Sequence, residues 1–357
     1  MLDATKRYFI CSLPYQISIK ENLLQREQIE DEMSESDFDD IKFSMEMRSL
    51  FWGDADGSFF SFDDVSKRRK LKNPMYPPNI IANKTYKISD LKPDERRILS
   101  VDVALMASKK HNNDASAIII NSAIPTSSGN YIANIIWMEN HEGLNTDDLA
   151  LVVRRLYSLY KCTDLVVDTM GAGLGVYDKL IQDIVDPETG ELYPALSCRN
   201  DKDMAERCKV QNAPKEIWSI KGSAAFNNDI CIALRSGFKN GRINLLVHEV
   251  AAEDILKSKY KGFSKMTLPE QLEYKMPYIQ TSLLVTELTK LEYIVNGTNI
   301  KIKERPGMRK DRYSSLAYNY WVQCQLEREI LRKPKYAFDI KDYATKIKKL
   351  NHRPNIY

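Results

Sequence analysis

The stretch Arg97-Ile-Leu-Ser-Val-Asp-Val-Ala104 places an aspartate, Asp102, inside an apolar segment that is typical of a buried β-strand. Asp168 ends the similar run Asp-Leu-Val-Val-Asp, and Asp311 opens the helix-like stretch Asp-Arg-Tyr-Ser-Ser-Leu-Ala-Tyr. A carboxylate in or at the end of a buried strand is costly unless something pairs with it. A divalent metal ion is the partner that best fits three such acids. We therefore predict a metal site formed by these three aspartates.

Composition limits the classes of protein that the chain can belong to. Its 357 residues are 43% hydrophobic and 28% charged, which is typical of a soluble globular protein of one or two domains. The formal net charge of +3 is small, so attraction to nucleic acid must come from local patches. The six cysteines form no C-x-x-C pair, which indicates reduced intracellular thiols and argues against a zinc site. No apolar run approaches the roughly 18 residues of a membrane span, so no membrane association is expected.

Hydrophobic periodicity predicts an α/β order in the middle of the chain. Strands are predicted at 98–105, 115–120, 131–138, 165–167 and 217–220. Helices are predicted at 145–160, with Asn145 or Thr146 as N-cap, and at 175–185. This order is that of an RNase H-like fold, a mixed central sheet flanked by helices. In that fold the strand after the first helix lies beside the first strand, so the carboxylates of the two strands meet at one edge of the sheet.

The remaining segments suggest three parts of the chain. Residues 1–94, which contain an acidic run and a proline-marked stretch, predict a mostly helical and loop-rich N-terminal segment, and residues 95–330 predict the α/β domain. Residues 331–357 form a basic tail, with eight Lys or Arg against two Asp. Within the domain, later elements are predicted as helices at 222–238 and 247–260, a helical region at 269–295 interrupted at Pro277, a strand at 299–303 and a helix at 311–330. The insertion 186–218 is predicted to be either a DNA-guiding flap or a surface excursion.

Three carboxylates suit hydrolysis of a phosphodiester. The reaction requires a deprotonated water and a neutralised leaving oxygen, and two metal ions about 3.5–4 Å apart provide both. Oxygen ligands suit Mg²⁺ or Mn²⁺. We expect Asp102 to bridge two such ions, with Asp168 and Asp311 each holding one. Structural alternatives remain for each acid: a buried strand residue, a strand-end turn and a helix N-cap. Asp114 is more simply a turn residue, although a supporting role at the site is open.

Two further patterns lie close to these acids. Gly171, Gly173 and Gly175 predict a tight strand-to-helix turn that lets a DNA backbone or a metal ion approach closely. They do not match a dinucleotide fingerprint, and no G-x-x-x-x-G-K-[ST] motif for ATP phosphates occurs in the chain. Basic residues around the third acid are predicted to contact DNA phosphates, with an ordinary solvated surface as the alternative. They are Lys301, Lys303, Arg305, Arg309, Lys310 and Arg312.

Four segments over residues 95–330 resemble the nuclease domain of tailed-phage large terminase subunits. They are Ser-Val-Asp102-Val-Ala, Asn-Asp114-Ala-Ser-Ala-Ile-Ile-Ile, Val-Val-Asp168-Thr-Met-Gly-Ala-Gly and Arg-Lys-Asp311-Arg-Tyr-Ser-Ser-Leu-Ala. Residues 30–60 resemble the segment that follows the packaging ATPase in such proteins.

The resemblance implies a metal-dependent endonuclease that cuts double-stranded viral DNA concatemers in the host cytoplasm during genome packaging. It also implies three partners: the ATPase part of the terminase, the small terminase subunit and the portal. The ATPase motifs are absent, so the resemblance does not extend to autonomous DNA translocation.

Two alternative functions remain open. The first is another RNase H-like nuclease of the transposase or resolvase type, which the residues before 95 argue against. The second is a non-catalytic docking module of the packaging machine, which the presence of all three acids disfavours.

Overall fold

The computed structural model describes residues 15–34, 47, 58–81, 86–104, 115–296, 299–305 and 308–332. Several predictions lie outside these residues: those for Asp114, for the basic tail beyond 332 and for most of the segment 30–60. No helix within the described part of the chain combines the length and apolar character that a bilayer crossing requires.

The helices and strands fall into three groups along the chain. The first group is α1 (Tyr15–Lys20), α2 (Arg26–Ser34), α3 (Phe62–Ser66), β1 (Arg69–Leu71), β2 (Arg96–Asp102), β3 (Ser116–Pro125) and β4 (Tyr131–His141). The second is α4 (Thr146–Leu159), β5 (Asp164–Asp168), α5 (Ala172–Leu180), β6 (Ile184–Val185), β7 (Leu192–Tyr193), β8 (Ser197–Cys198), α6 (Lys202–Arg207) and β9 (Lys215–Ile220). The third is α7 (Ala224–Lys239), β10 (Ile243–Leu246), α8 (Glu249–Lys259), α9 (Leu268–Lys290), β11 (Glu292–Asn296), β12 (Asn299–Lys303) and α10 (Asp311–Arg332).

Eight strands form one sheet in the order β1-β10-β4-β3-β2-β5-β9-β8. Strands β2, β3 and β4 pair antiparallel, whereas β5 pairs parallel with β2 and with β9. The segment β4-β3-β2-β5-β9 therefore has the strand order of an RNase H-like sheet. The structure confirms the predicted fold, with β2 and β5 as neighbours at its centre.

An apolar core lies on each face of this sheet, and the two-residue period of β2 assigns its side chains to them. Ile98 belongs to the core that α7 and α10 cover, and Leu99 and Val101 belong to the core under α4 and α5. Val166 of β5 belongs to the α10 side. By the same alternation, Asp102 and Asp168 follow Ile98 and Val166 onto the face that α10 covers.

The N-terminal part of the described chain also contributes to this body. Phe59 and Phe60 are buried in the core on the α10 side, and β1 extends the sheet by pairing parallel with β10. The domain boundary near residue 94 stays a prediction. The insertion 186–218 supplies the edge strand β8 and buries Leu196 and Met204. Its role as a flap over DNA likewise stays a prediction.

The predicted interruption at Pro277 is wrong, because α9 continues from Leu268 to Lys290 through that residue. A proline inside a helix costs about 3 kcal/mol, since it lacks an N–H donor and crowds the preceding turn. Here Tyr274, Pro277 and Tyr278 are all buried, and a capping box of Thr267 and Glu270 secures the first turn. Burial of these rings offsets the cost of the proline.

Three predicted helix boundaries are also wrong. Residues 292–296 form strand β11 and not the end of the preceding helix. Helix α5 begins at Ala172, three residues before the predicted start, and ends at Leu180, because Gly171 turns the chain immediately after β5. Residues 184–185 belong to the short strand β6.

Candidate active site

Two of the predicted acids lie at the carboxyl ends of neighbouring strands. Strands β2 and β5 are parallel and in register up to the pair Val101 and Val167, and the next residues are Asp102 and Asp168. Parallel pairing brings the carboxyl ends of both strands to one edge of the sheet. The structure thus places the two carboxylates side by side, as the sequence predicts for this strand order.

The third acid approaches from the helix that covers this face. Asp311 is the first residue of α10, and its Oδ2 accepts a hydrogen bond of 3.3 Å from the backbone N–H of Ala115, just before β3. Burial raises the pKa of Asp102 to about 8, with further contributions from the charges of Asp311 and Asp168. The three carboxylates therefore share one electrostatic environment, in which like charges repel unless a cation compensates them.

Two hydroxyl groups on α10 bind the strand carboxylates. The Ser314 hydroxyl hydrogen-bonds to Asp102, and the Tyr318 hydroxyl hydrogen-bonds to Asp168. The backbone N–H of Met170 also donates to Asp168 Oδ1 at 2.9 Å. These bonds favour ionised carboxylates, but burial outweighs them and the pKa of Asp168 is still raised. Sequence reasoning missed both hydroxyls, although their spacing from Asp311, three and seven residues, places them on its helix face.

The chemistry of the donor set fits Mg²⁺ or Mn²⁺, because it consists of carboxylate oxygens around a buried, charge-rich position. The positions of the side chains fit less well. Among the described residues, no group of three or more His, Cys, Asp or Glu is arranged closely enough to hold a metal ion. The three aspartates influence one another electrostatically, but their side chains are not close enough together to coordinate one ion.

The glycine turn after β5 is confirmed as a tight strand-to-helix connection. Gly171 has φ 55°, in the region that favours glycine, and immediately precedes α5. A Cβ atom on Gly173 would lie 1.7 Å from the carbonyl oxygen of Asp168. A Cβ on Gly175 would lie 2.9 Å from Cγ2 of Thr146, on helix α4. The turn therefore packs directly against the backbone of Asp168 and against helix α4, and neither Gly173 nor Gly175 has room for a side chain.

The predicted DNA-contacting residues differ in accessibility. Lys301 and Lys303 are exposed on β12. Three others form ion pairs that leave them partly exposed: Arg305 with Glu292 (2.8 Å), Arg309 with Glu142 (2.7 Å) and Lys310 with Glu304 (2.7 Å).

Arg312 requires a correction. Its side chain is buried, with Nη1 2.5 Å from Glu287 Oε1 and Nε 2.9 Å from Gln280 Oε1. It has this position because it lies one residue after Asp311 and so faces α9, away from the carboxylates. In this structure Arg312 joins two helices and is not available to a phosphate.

A row of buried polar side chains fixes α10 along the sheet. Ser315, Asn319, Gln323 and Glu327 recur at four-residue intervals, and all four are fully buried. Ser315 Oγ lies 3.0 Å from Ser100 Oγ, and Asn319 Nδ2 donates to the Ile98 carbonyl at 2.9 Å.

The row continues towards the far end of the helix. Gln323 Oε1 accepts from Asn121 Nδ2 at 3.0 Å, and Glu327 Oε1 accepts from the N–H of Tyr131 at 2.8 Å. These directional bonds favour the observed axial position of the helix over others, and that position sets where Asp311 lies.

Solved structures similar to this chain include three phage proteins. The large terminase nuclease from thermophilic phage G20c with bound magnesium is 14% identical, covering 75% of this chain and 98% of that chain, with a TM-score of 0.42. The nuclease domain of the large terminase subunit gp2 of bacterial virus Sf6 is 9% identical (74% and 98%; TM-score 0.39). The HK97 bacteriophage large terminase is 8% identical (74% and 43%; TM-score 0.37). No protein-family model and no curated protein matches the sequence.

Proposed function

We propose that this protein is a metal-dependent DNA endonuclease of the terminase type. One observation carries the proposal: in a sheet of RNase H-like order, the adjacent parallel strands β2 and β5 end in Asp102 and Asp168, opposite Asp311 on the covering helix. The mutual influence of these carboxylates on the pKa of Asp102 supports their action as one site. The resemblance of the four segments to terminase nucleases supports the same class of reaction.

In this proposal, two divalent ions, when bound, would supply activation of the attacking water and neutralisation of the leaving oxygen of a phosphodiester. The carboxylates of Asp102, Asp168 and Asp311 would hold these ions, with Asp102 in the shared role that the sequence predicts and each of the other two serving one ion. Ser314 and Tyr318 orient the carboxylates of Asp102 and Asp168 by hydrogen bonds. Because Arg312 is buried, we assign contacts with DNA phosphates to the five accessible basic residues: Lys301, Lys303, Arg305, Arg309 and Lys310.

We infer the biological context from the resemblance of the motif segments. The substrate would be a concatemer of double-stranded viral DNA in the host cytoplasm, cut during genome packaging. The partners would be the ATPase part of the terminase, the small terminase subunit and the portal. A transposase-type or resolvase-type nuclease would instead prefer transposon ends or branched junctions to plain duplex, so cleavage of these three substrates distinguishes the proposals.

A docking module without catalysis is the second candidate, and one observation favours it. Within the described residues the aspartates do not form a group that could hold a metal ion. If the protein is a docking module, the unsubstituted chain should bind divalent ions no more tightly than a variant that lacks Asp102.

Plasmid cleavage tests the proposed function. We expect the purified protein to nick or linearise supercoiled DNA with Mg²⁺ or Mn²⁺ and not with EDTA. Asp102→Asn, Asp168→Asn and Asp311→Asn should each lower the rate at least about 100-fold, since each removes a charged ligand. Asp254→Asn, at an exposed position of α8, is the matched control and should retain full activity. The proposal would be contradicted by a folded protein that cleaves DNA with neither Mg²⁺ nor Mn²⁺, or by equal activity in all variants.

A further inference from the structure

A cleft of about 530 Å³ opens beside the aspartates, between the start of α7, strand β12 and the start of α10. It shares two residues with the candidate active site, because Ser314 and Tyr318 both line the cleft and hydrogen-bond to the carboxylates. A molecule in this cleft would lie directly next to the position of a reacting phosphate.

The lining combines two chemistries. Ile230, Ile300 and Ile302 contribute apolar surface, whereas Lys301 and Lys310 contribute positive charge. Lysines alone suffice for a groove that follows a phosphate backbone. An apolar wall next to them suits a ligand that carries a flat, weakly polar group as well as an anion. A nucleotide has this composition, and an unpaired base can be held between apolar or aromatic side chains.

The cleft is held open by the fold. Asn228, a buried residue of α7, accepts a 2.8 Å hydrogen bond from the N–H of Ile300 through Oδ1, which ties strand β12 to the helix. On the opposite side, Lys310 Nζ is held 2.7 Å from Glu304 Oε2. Both walls are therefore positioned before any ligand binds. The volume of the cleft is within the range of small-molecule sites.

We propose that this cleft binds one unpaired nucleotide of the DNA strand, adjacent to the phosphate that is cut. Its base contacts the isoleucine wall and its phosphate interacts with Lys301 and Lys310. The inference rests on the proposed function and adds a requirement to it: the duplex must open locally at the cleavage position. Unpairing and unstacking one base costs a few kcal/mol, and less at a mismatch. Contact of the base with the cleft offsets part of that free-energy cost.

Binding of free nucleotides tests the site without any need for cleavage. We would titrate dTMP, thymidine and inorganic phosphate into the full-length Asp102→Asn protein in EDTA and follow binding by ligand-observed NMR. We expect dTMP to bind more tightly than either fragment. Ala224→Phe, at an exposed position lining the cleft, should weaken dTMP binding at least about tenfold, and Asn227→Trp repeats the test from the next turn of α7. Ala251→Phe, exposed on α8 and outside the lining, is the matched control.

Cleavage of short duplexes gives the second readout, with Asp102 intact. A single mismatch at the cleavage position should raise kcat/KM for the unsubstituted protein, and Ala224→Phe should remove this advantage. If no substrate is cleaved but dTMP binding is abolished in both cleft variants, the proposed function fails and the nucleotide site stands. If dTMP binds no better than phosphate, or the cleft variants bind it normally while remaining folded, the nucleotide site is overturned.

Discussion

Asp102 illustrates how a candidate catalytic residue affects stability. Its pKa in the folded protein is about 8, whereas an unfolded aspartate has an ordinary pKa near 3.9. Between about pH 4 and pH 8 the folded state therefore keeps a proton that the unfolded chain has released. A group of this kind makes the folded state less stable as the pH rises through that window.

Replacing Asp102 with asparagine should remove this pH dependence. In EDTA, we expect the melting temperature of Asp102→Asn to exceed that of the unsubstituted protein by several degrees at pH 8, with the difference vanishing near pH 4. Calorimetry at several pH values measures this difference in melting temperature. The titration of groups that both proteins share contributes equally to the two curves and cancels in the difference. Parallel curves for the two proteins would show that Asp102 does not titrate with a raised pKa.

Gly173 provides a second prediction at the scale of one residue. Alanine normally favours a helix over glycine by about 1 kcal/mol. Here the added Cβ would overlap the carbonyl oxygen of Asp168, so Gly173→Ala should lower the free energy of unfolding by about 2–4 kcal/mol and displace Asp168, reducing cleavage. Gly222→Ala is the control, since its nearest neighbour would be at an ordinary 3.6 Å. Urea unfolding measures the stability of the two variants, and plasmid cleavage measures their activity. Equal stability of Gly173→Ala and Gly222→Ala would contradict the predicted overlap.

The buried polar row of helix α10 sets the axial position of the helix on the sheet as well as stabilising the fold. An apolar helix face could slide along the sheet with little change in burial, whereas Asn319 bonds specifically to the Ile98 carbonyl and to Ser100 Oγ. Buried groups without partners cost about 1–3 kcal/mol each, so the row strongly disfavours other axial positions of the helix. Asp311, two turns earlier on the same helix, depends on that position.

Asn319→Leu should therefore reduce activity more than its effect on stability explains. We expect a decrease of about 1–3 kcal/mol in unfolding free energy and at least about a tenfold fall in kcat. Val322→Ala, which removes buried apolar atoms from the same helix, should give a similar decrease in stability with little change in kcat. If cleavage by Asn319→Leu falls no further than that of Val322→Ala at a temperature where both are folded, the row has no positioning role.

At the scale of the whole molecule, the small net charge conceals an uneven distribution. Removing residues 333–357 takes away seven Lys or Arg and two Asp, which changes the formal net charge from +3 to −2. DNA affinity should therefore weaken, and the dependence of its logarithm on salt should become shallower by about 0.9 for each phosphate that the tail neutralises. Fluorescence anisotropy with a duplex at several salt concentrations measures this slope. An unchanged slope would show that the tail does not bind DNA.

Local patterns determined the elements that form most of the sheet. The apolar segments around Asp102 and before Asp168 predict β2 and β5. The predicted N-cap Asn145 is confirmed by the 2.9 Å hydrogen bond that its side chain accepts from the N–H of Asp148. These features depend on neighbours a few residues away, so they can be read from the chain itself. The interrupted helix at Pro277 failed because burial of Tyr274 and Tyr278 is a long-range contribution that no local pattern reveals.

The order of the strands and the three candidate aspartates can be read from the chain, because strand period and connection order dictate which strand ends become neighbours. Which other side chains share the site depends on how the helices pack against the sheet. Packing of α10 across β2 brings Ser314 and Tyr318 to the carboxylates and buries Arg312 against Glu287. Contacts between residues more than a hundred positions apart hold α10 against β2, and the packing of α7, β12 and α10 creates the nucleotide-sized cleft. Such contacts depend on how helices pack on the sheet, which local periodicity does not encode.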